Sequence, residues 1–282
     1  MYSPTDVSAV VCTRNSISGI RECLESLRAS GVGQVIVVDA HSTDGSREVA
    51  EILADLVISD PGIGLGNARN LGIAQTTGAL ILNFGSDNVI APSSLIELLH
   101  EFEEANVHGM STQTRIEGDD YLSAGLNAWR KGRFLPGPAT VIGTPTLFIG
   151  DLLRQFPYDS SRRFSDDSEL CERWAKQFNA RFAISNVEVM EVGKTTWPEF
   201  KTRARMYGIS DAEIFHQGST TQNWSVHRKL KSLLHPIRVD FLHPARNLPI
   251  MDAVRFTPYF LAFTSIRYRS WIASRTQNKD ID

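Results

Sequence analysis

Four aspartates stand at positions where an α/β protein could do chemistry. Asp39 ends the apolar run "QVIVVD" and opens a small, polar turn, "AHSTDGS". A carboxylate at such a strand end can accept hydrogen bonds from a ribose or from the N–H of a base, as the acid of dinucleotide folds does. It can also simply shape its own loop. Asp87, in "LILNFGSDN", is a candidate ligand for magnesium or manganese. These cations take oxygen ligands and often bind through one or two carboxylates plus substrate phosphates. Gly85 stands where a partner acid would be expected, and "GSDN" is also ordinary turn chemistry. Asp166 and Asp167, in "FSDDSEL", open a helical pattern behind Ser165. The helix dipole stabilises acids there, and the same stabilisation keeps a carboxylate ionised and able to take a proton from a hydroxyl. Residue type does not separate those two roles. Arg69, in "GLGNARN", could reach a diphosphate, because a guanidinium fork matches phosphate oxygens, or it could sit on the surface.

These residues need elements to position them. "VSAVVC", "QVIVVD", "LVISD" and "ALILNF" read as buried strands. Between them, "SISGIRECLESLRASG", "TDGSREVAEILAD" and "NARNLGIAQTTG" read as helices, the second with Asp44 or Ser46 as its cap. "PSSLIELLHEFEEAN" follows, with Pro92 in its first turn. Such alternation predicts a mostly parallel sheet with helices on both faces, so Thr13, Asp39 and Asp87 converge beyond the carboxyl ends of the strands. After Gly109 the rhythm changes. "HGMSTQTRI" and "TPTLFIGDLL" read as strands around a mobile loop, "KGRFLPGPATVIG". Thr196 and Glu199 have capping-box spacing at the start of another helix. "QGSTTQN" reads as a hinge, and Pro236, Pro244, Pro249 and Pro258 predict only short helices beyond it.

Whole-chain properties narrow the field. The 282 residues can bury a full core, and 42 % hydrophobic with 22 % charged residues suits a globular protein. A net charge of −3 gives no global field for nucleic acid, so no nucleic-acid partner is expected. The three cysteines lack metal or CxxC spacing, which predicts buried free thiols and a reducing, cytoplasmic setting. The first residues carry no secretion-signal pattern, and no run is long enough to span a bilayer. "GIGLGNARN" fails as a dinucleotide fingerprint, and the first turn, "CTRNSISG", has no glycine-rich phosphate cradle. From Val226 onward, ten Lys and Arg face four Asp, a net +6 that leaves −9 for the remainder. That tail mixes aromatics with arginines. It is expected either to touch the inner face of a membrane peripherally or to dock as a helix on its own domain or in a dimer.

Taken in order, "VVCTRN", "IVVDAHSTDGS", "NARNLGIA", "GSDNVIAP", "SDDSELCERW" and the run ending "RARMYG" resemble the family 2 glycosyltransferases of GT-A fold, over about three quarters of the chain. The resemblance implies a GT-A catalytic domain over residues 1–217, with a nucleotide-sugar half (1–108), an acceptor half (109–217) and a C-terminal helical extension (218–282). It implies hexosyl transfer from a nucleotide sugar to a glycan or lipid-linked acceptor, usually inverting and assisted by Mn²⁺ or Mg²⁺. Asp39 would hold the base or ribose. Thr13, Arg14, Asn15, Arg69, Asn70 and Ser86 would complete the donor site. Asp87 falls on the second acid of the family's DxD and would bind the metal, with Glu191 standing where many relatives have a histidine. Asp167 would be the general base, with Asp166 beside it. Two alternatives remain in view: a GT-A-like nucleotidyltransferase, or a sugar-nucleotide-binding protein without catalysis.

Overall fold

A computed structural model describes residues 1–160, 166–220 and 223–277, apart from the side chains of 217 and 275–277. Two compact units result, one of Met1–Glu117 and Pro136–Gly193, the other of Gly118–Leu135 and Lys194–Asp282.

In the first unit the β-branched runs form β1 (Val7–Thr13), β2 (Gln34–Asp39), β3 (Leu56–Ser59) and β4 (Leu80–Gly85). These four are parallel and lie in the order β3-β2-β1-β4. The chain winds outward from β1, then returns to its other side for β4, which opens a crevice at the carboxyl ends of β1 and β4. The sheet continues through β8 (Thr146–Ile149), β6 (Gly109–Ile116), β9 (Phe182–Glu191) and β5 (Asn88–Val89), with β7 (Gly137–Ala139) paired to β9. Here β6 and β9 are parallel, whereas β8, β5 and β7 run antiparallel to their neighbours.

Side-chain alternation along the strands builds two cores. Val7, Ala9 and Val11 of β1 face one way, toward α1 (Ile20–Ala29), α2 (Ser46–Leu53) and α4 (Pro92–Ala105). Val10 and Ile81 face the other way, with Ala68 and Ile73 of α3 (Leu65–Ile73) and Leu170 and Trp174 of α7 (Asp166–Phe178). Helices therefore cover both faces, as expected. "GDLL" is not strand, however: Gly150–Gln155 is a helix, α6, whose Gly150 N–H donates to Ala79 O. Ser165 lies outside the described residues.

The second unit is helical. Its first element, α5 (Tyr121–Arg133), takes up the beginning of the segment expected to be loop, and β7 takes up another part of it. Asp120 caps α5 by accepting from Leu122 N at 3.0 Å and Ser123 N at 3.2 Å. Gly125 and Gly132, which look like helix breakers, are close-approach sites. A β-carbon on Gly125 would fall 2.4 Å from the Tyr259 ring, and one on Gly132 2.5 Å from Pro244 Cα. α8 (Trp197–Thr220) starts with the expected Thr196–Glu199 box, Thr196 N donating to Glu199 Oε2 at 2.7 Å. The boundary expected at residue 217 falls inside α8, and Thr221 and Gln222 of the expected hinge lie outside the described residues. α9 (Val226–Leu233), a π-type turn (Ile237–Leu242) and α10 (His243–Asn247) follow.

The expected short helices are found in α9 and α10, but not in the last helix. α11 (Ile250–Gln277) runs for 28 residues with Pro258 inside it. A mid-helix proline costs about 3 kcal/mol. Phe256, Tyr259, Phe260, Phe263 and Trp271 of the same helix are buried, and each such burial contributes roughly 1.5–3 kcal/mol, so packing overrides the proline. These five side chains are thus inside the unit, as in a docked helix, while Leu261 and Ile272 are exposed. No described helix is long and apolar enough to cross a membrane.

Beneath α11 lies a buried charge cluster. Arg267 donates through Nε and Nη2 to the two oxygens of Asp211, at 2.6 and 2.8 Å, and through Nη1 to Asp240 Oδ2 at 2.7 Å. Arg133 donates to the remaining Asp240 oxygen.

Candidate active site

The rim of the crevice is one hydrogen-bonded unit. Register places Thr13 beside Asp39 and Cys12 beside Gly85. Past β1 the chain turns through Asn15, at φ 50°. The Asn15 N–H donates to Ser42 Oγ, Asn15 Oδ1 accepts from Thr43 N, and Ser16 N donates to Ser46 Oγ, each at 2.8–2.9 Å. The Ser16 and Ser86 hydroxyls meet at 3.0 Å. The loops after β1, β2 and β4 therefore hold Thr13, Asn15, Asp39, Ser86 and Asp87 around one strand-end edge, with Arg14 exposed on it. Asp44 serves as the local acid of its turn, accepting from Ser46 N at 3.0 Å and Ile17 N at 3.0 Å.

Asp39 is fully buried, yet half of its carboxylate is uncommitted. Oδ2 accepts from Ser42 N at 3.2 Å and faces Arg47 at 3.6 Å. Oδ1 has no partner among the described residues, and neither does the buried Thr13 Oγ1 next to it. A buried acceptor without a donor costs about 1–3 kcal/mol, so this pair is suited to a ligand that brings N–H or O–H groups.

At the end of β4, Asp87 is exposed, and its carbonyl accepts from Val192 N at 2.7 Å. Strand pairing sets Glu191 opposite Asn88, one residue from Asp87. Their backbones are adjacent and both are hard oxygen donors, but among the described residues no group of three or more His, Cys, Asp or Glu could hold a metal, so a divalent cation here would need water and a diphosphate to complete its shell. Gly85 has a steric reason. Asn88 Oδ1 accepts from Gly85 N at 3.2 Å, and a β-carbon on Gly85 would lie 2.6 Å from that oxygen and 2.9 Å from Asp87 Oδ1. The loop closes on itself where a first acid would stand.

The opposite sheet face holds a second cluster. Arg69 is buried, and its Nη1 donates to Asp166 Oδ2 at 2.6 Å and to Asp167 Oδ1 at 2.9 Å, while Nη2 donates to Thr144 Oγ1. Burial alone would lower the pKa of Arg69, but Asp167 and Asp166 more than offset it. Arg69 thus binds the two acids. Asn70 is similarly engaged, donating to Tyr158 O at 2.8 Å and accepting from Tyr158 N at 3.0 Å. The Tyr158 hydroxyl accepts from Asn83 at 2.9 Å and donates to Asp167 Oδ1 at 3.2 Å. Burial holds the Tyr158 phenol well above its ordinary pKa, so it stays a donor. Asp167 itself is pushed up to about 6, chiefly by burial, with Arg69 opposing and Asp166 reinforcing the shift. Its side chain is still 24 % exposed. It is a carboxylate poised to take a proton near neutral pH.

Tyr158, Thr144 and Asn83 give little sign of this in the sequence. Only Asn83, a polar residue inside the apolar strand "LILNF", hints that a buried partner must exist.

The model of the family described as "Glycosyl transferase family 2" matches residues 8–154. The chain is 36 % identical over 100 residues to a putative glycosyltransferase, EpsH, of Bacillus subtilis, a match covering 33 % of this chain and 29 % of that protein. It is 33 % identical over 106 residues to the succinoglycan biosynthesis protein ExoO of Rhizobium meliloti, covering 36 % and 30 % respectively. The match thus spans under a third of either relative's length. Among solved structures, a mannosyltransferase, PcManGT, of Pyrobaculum calidifontis, in complex with GDP-Man and Mn²⁺, superposes with a TM-score of 0.62 at 18 % identity, covering 99 % of this chain and 89 % of that one. At that identity the likeness is one of fold, and the fold is GT-A.

Proposed function

The chain belongs to glycosyl transferase family 2, and from that premise we propose that it transfers a hexose from a nucleoside-diphosphate sugar to an acceptor hydroxyl. The observation that carries the proposal is the buried, donor-free pair Asp39 Oδ1 and Thr13 Oγ1 at the crevice edge. A nucleoside supplies the missing donors through a base N–H or a ribose hydroxyl. Thr13, Arg14, Asn15 and Ser86 line the donor side of the same edge. Arg69 and Asn70 act behind it, fixing Asp166, Asp167 and Tyr158.

The reaction is a single displacement with inversion. The acceptor oxygen forms its bond to the anomeric carbon as the bond to the diphosphate breaks. Asp167 takes the hydroxyl proton, and Asp166 fixes Arg69 beside it. Asp87 and Glu191 would hold Mn²⁺ or Mg²⁺, which would offset charge on the leaving diphosphate. The nearby relatives support a place in polysaccharide, glycan or glycolipid synthesis. The three free cysteines suit a reducing, cytoplasmic compartment.

A thermal-shift screen of UDP and GDP sugars, with and without Mn²⁺, tests the proposal. A ligand of the folded state at a hundred times its Kd stabilises it by about 2.7 kcal/mol. Asp87→Ala is expected to abolish the Mn²⁺-dependent part of the shift and of turnover, while the unliganded Tm stays within a few degrees. Full metal dependence in that variant would remove Asp87 from the site. Pyrophosphate release would point to nucleotidyl transfer instead.

A further inference from the structure

Asp167 has two carboxylate oxygens, and the described residues engage one of them. Oδ1 accepts from Arg69 and from Tyr158. Among the described residues none donates to Oδ2. Gly143 lies close to it: a β-carbon added there would be 3.8 Å from Oδ2. Gly143 is exposed, and its φ is not in the left-handed region, so the backbone does not require glycine there. Its neighbours are fixed. Ile142 is buried in the core, Thr144 accepts from Arg69, and Pro145 O accepts from Thr112 N at 3.1 Å.

We propose that Gly143 is the acceptor gate: the acceptor hydroxyl reaches Asp167 Oδ2 across its bare backbone, and the group bearing that hydroxyl rests on residues 141–143. A side chain at 143 would stand over the oxygen that takes the proton. Val141 beside it is exposed and apolar, so the shelf suits the C–H face of a pyranose ring. Among the described residues Arg69 is the one cation paired with these two acids, and a neutral saccharide hydroxyl is the class that fits beside them. The inference rests on Asp167 being the base of a transferase.

The test measures transfer and hydrolysis separately, using UDP-glucose, UDP-GlcNAc and GDP-mannose as donors and octyl glucoside and octyl mannoside as acceptors. Water is small enough to pass a narrowed gate, whereas a pyranoside is not. Gly143→Leu is expected to lose transfer by about tenfold or more, as a clash in a shaped pocket typically does, while hydrolysis and the nucleotide thermal shift persist. Gly143→Ala, whose methyl would sit in ordinary contact with Oδ2, should lie between Gly143→Leu and wild type. Undiminished transfer in Gly143→Leu overturns the gate, as does hydrolysis falling in step with transfer, or a wild type that hydrolyses the donor yet glycosylates neither acceptor. A wild type that consumes no sugar nucleotide removes the transferase reading itself, and the gate with it.

Discussion

Two buried arginines in this protein each hold two aspartates, and the clusters differ in what they leave over. In the helical unit Arg267 and Arg133 face Asp211 and Asp240, and every carboxylate oxygen receives a guanidinium donor. Charge and hydrogen bonds close. In the sheet unit, among the described residues, Arg69 alone faces Asp166 and Asp167, Tyr158 supplies one further donor, and neither Asp166 Oδ1 nor Asp167 Oδ2 receives one. The first arrangement can only hold helices together. The second is held just as firmly but leaves carboxylate oxygens without a donor among the described residues, which is what proton transfer needs. Burial and ion pairing therefore do not mark a catalytic site; an unclosed account of donors does.

The largest effect that would test this contrast is in the sheet unit. Asp167→Asn keeps size and hydrogen bonding but cannot accept a proton, so kcat should fall by about 10²–10⁴, with donor binding by thermal shift intact. If Asp166→Asn is the crippling change and Asp167→Asn is mild, the base has been assigned one residue too late. Next comes the closed cluster. Asp240→Ala leaves Arg133 without its carboxylate and Arg267 with Asp211 alone, and breaking a buried pair in this way costs about 3–5 kcal/mol. Urea unfolding should show that loss, while activity per folded molecule changes little. A variant as stable as wild type would refute the structural role.

The smallest effect is a shift in a pH profile. Asp167 must be ionised to act, so kcat should fall as pH drops through about 6. Tyr158→Phe removes a hydrogen bond that favours the ionised form, so Asp167 should hold its proton to higher pH and the acid limb should move upward. An unmoved limb would show that the phenol only fills space.

Much of this was legible beforehand, for physical reasons. The parallel strands announce themselves because strands buried on both faces are continuously apolar. Asp39 and Asp87 stood out as acids at the ends of such runs. The errors came where packing outweighed local propensity. The segment 131–143 reads as loop, yet α5 runs to Arg133, and Pro258 reads as a helix breaker, yet α11 runs through it. The burial of Arg69, for which the sequence leaves a surface position open, comes from partners 75–98 positions away in the chain. Gly143 carried no signal, since its importance is an absence of side chain beside an atom 24 residues further on.

The insertion of α5 into the sheet unit's sequence also bears on how the chain is made. Leu126 and Trp129 are synthesised early, but Phe263, the ring that Trp129 meets at 4.9 Å, comes more than a hundred residues later. At a ribosomal rate of about 5–20 residues per second, that apolar stripe is exposed for on the order of ten seconds. A nascent chain in that interval carries a Trp-bearing helix that has Phe134 beside it but not yet Tyr207 or Phe263.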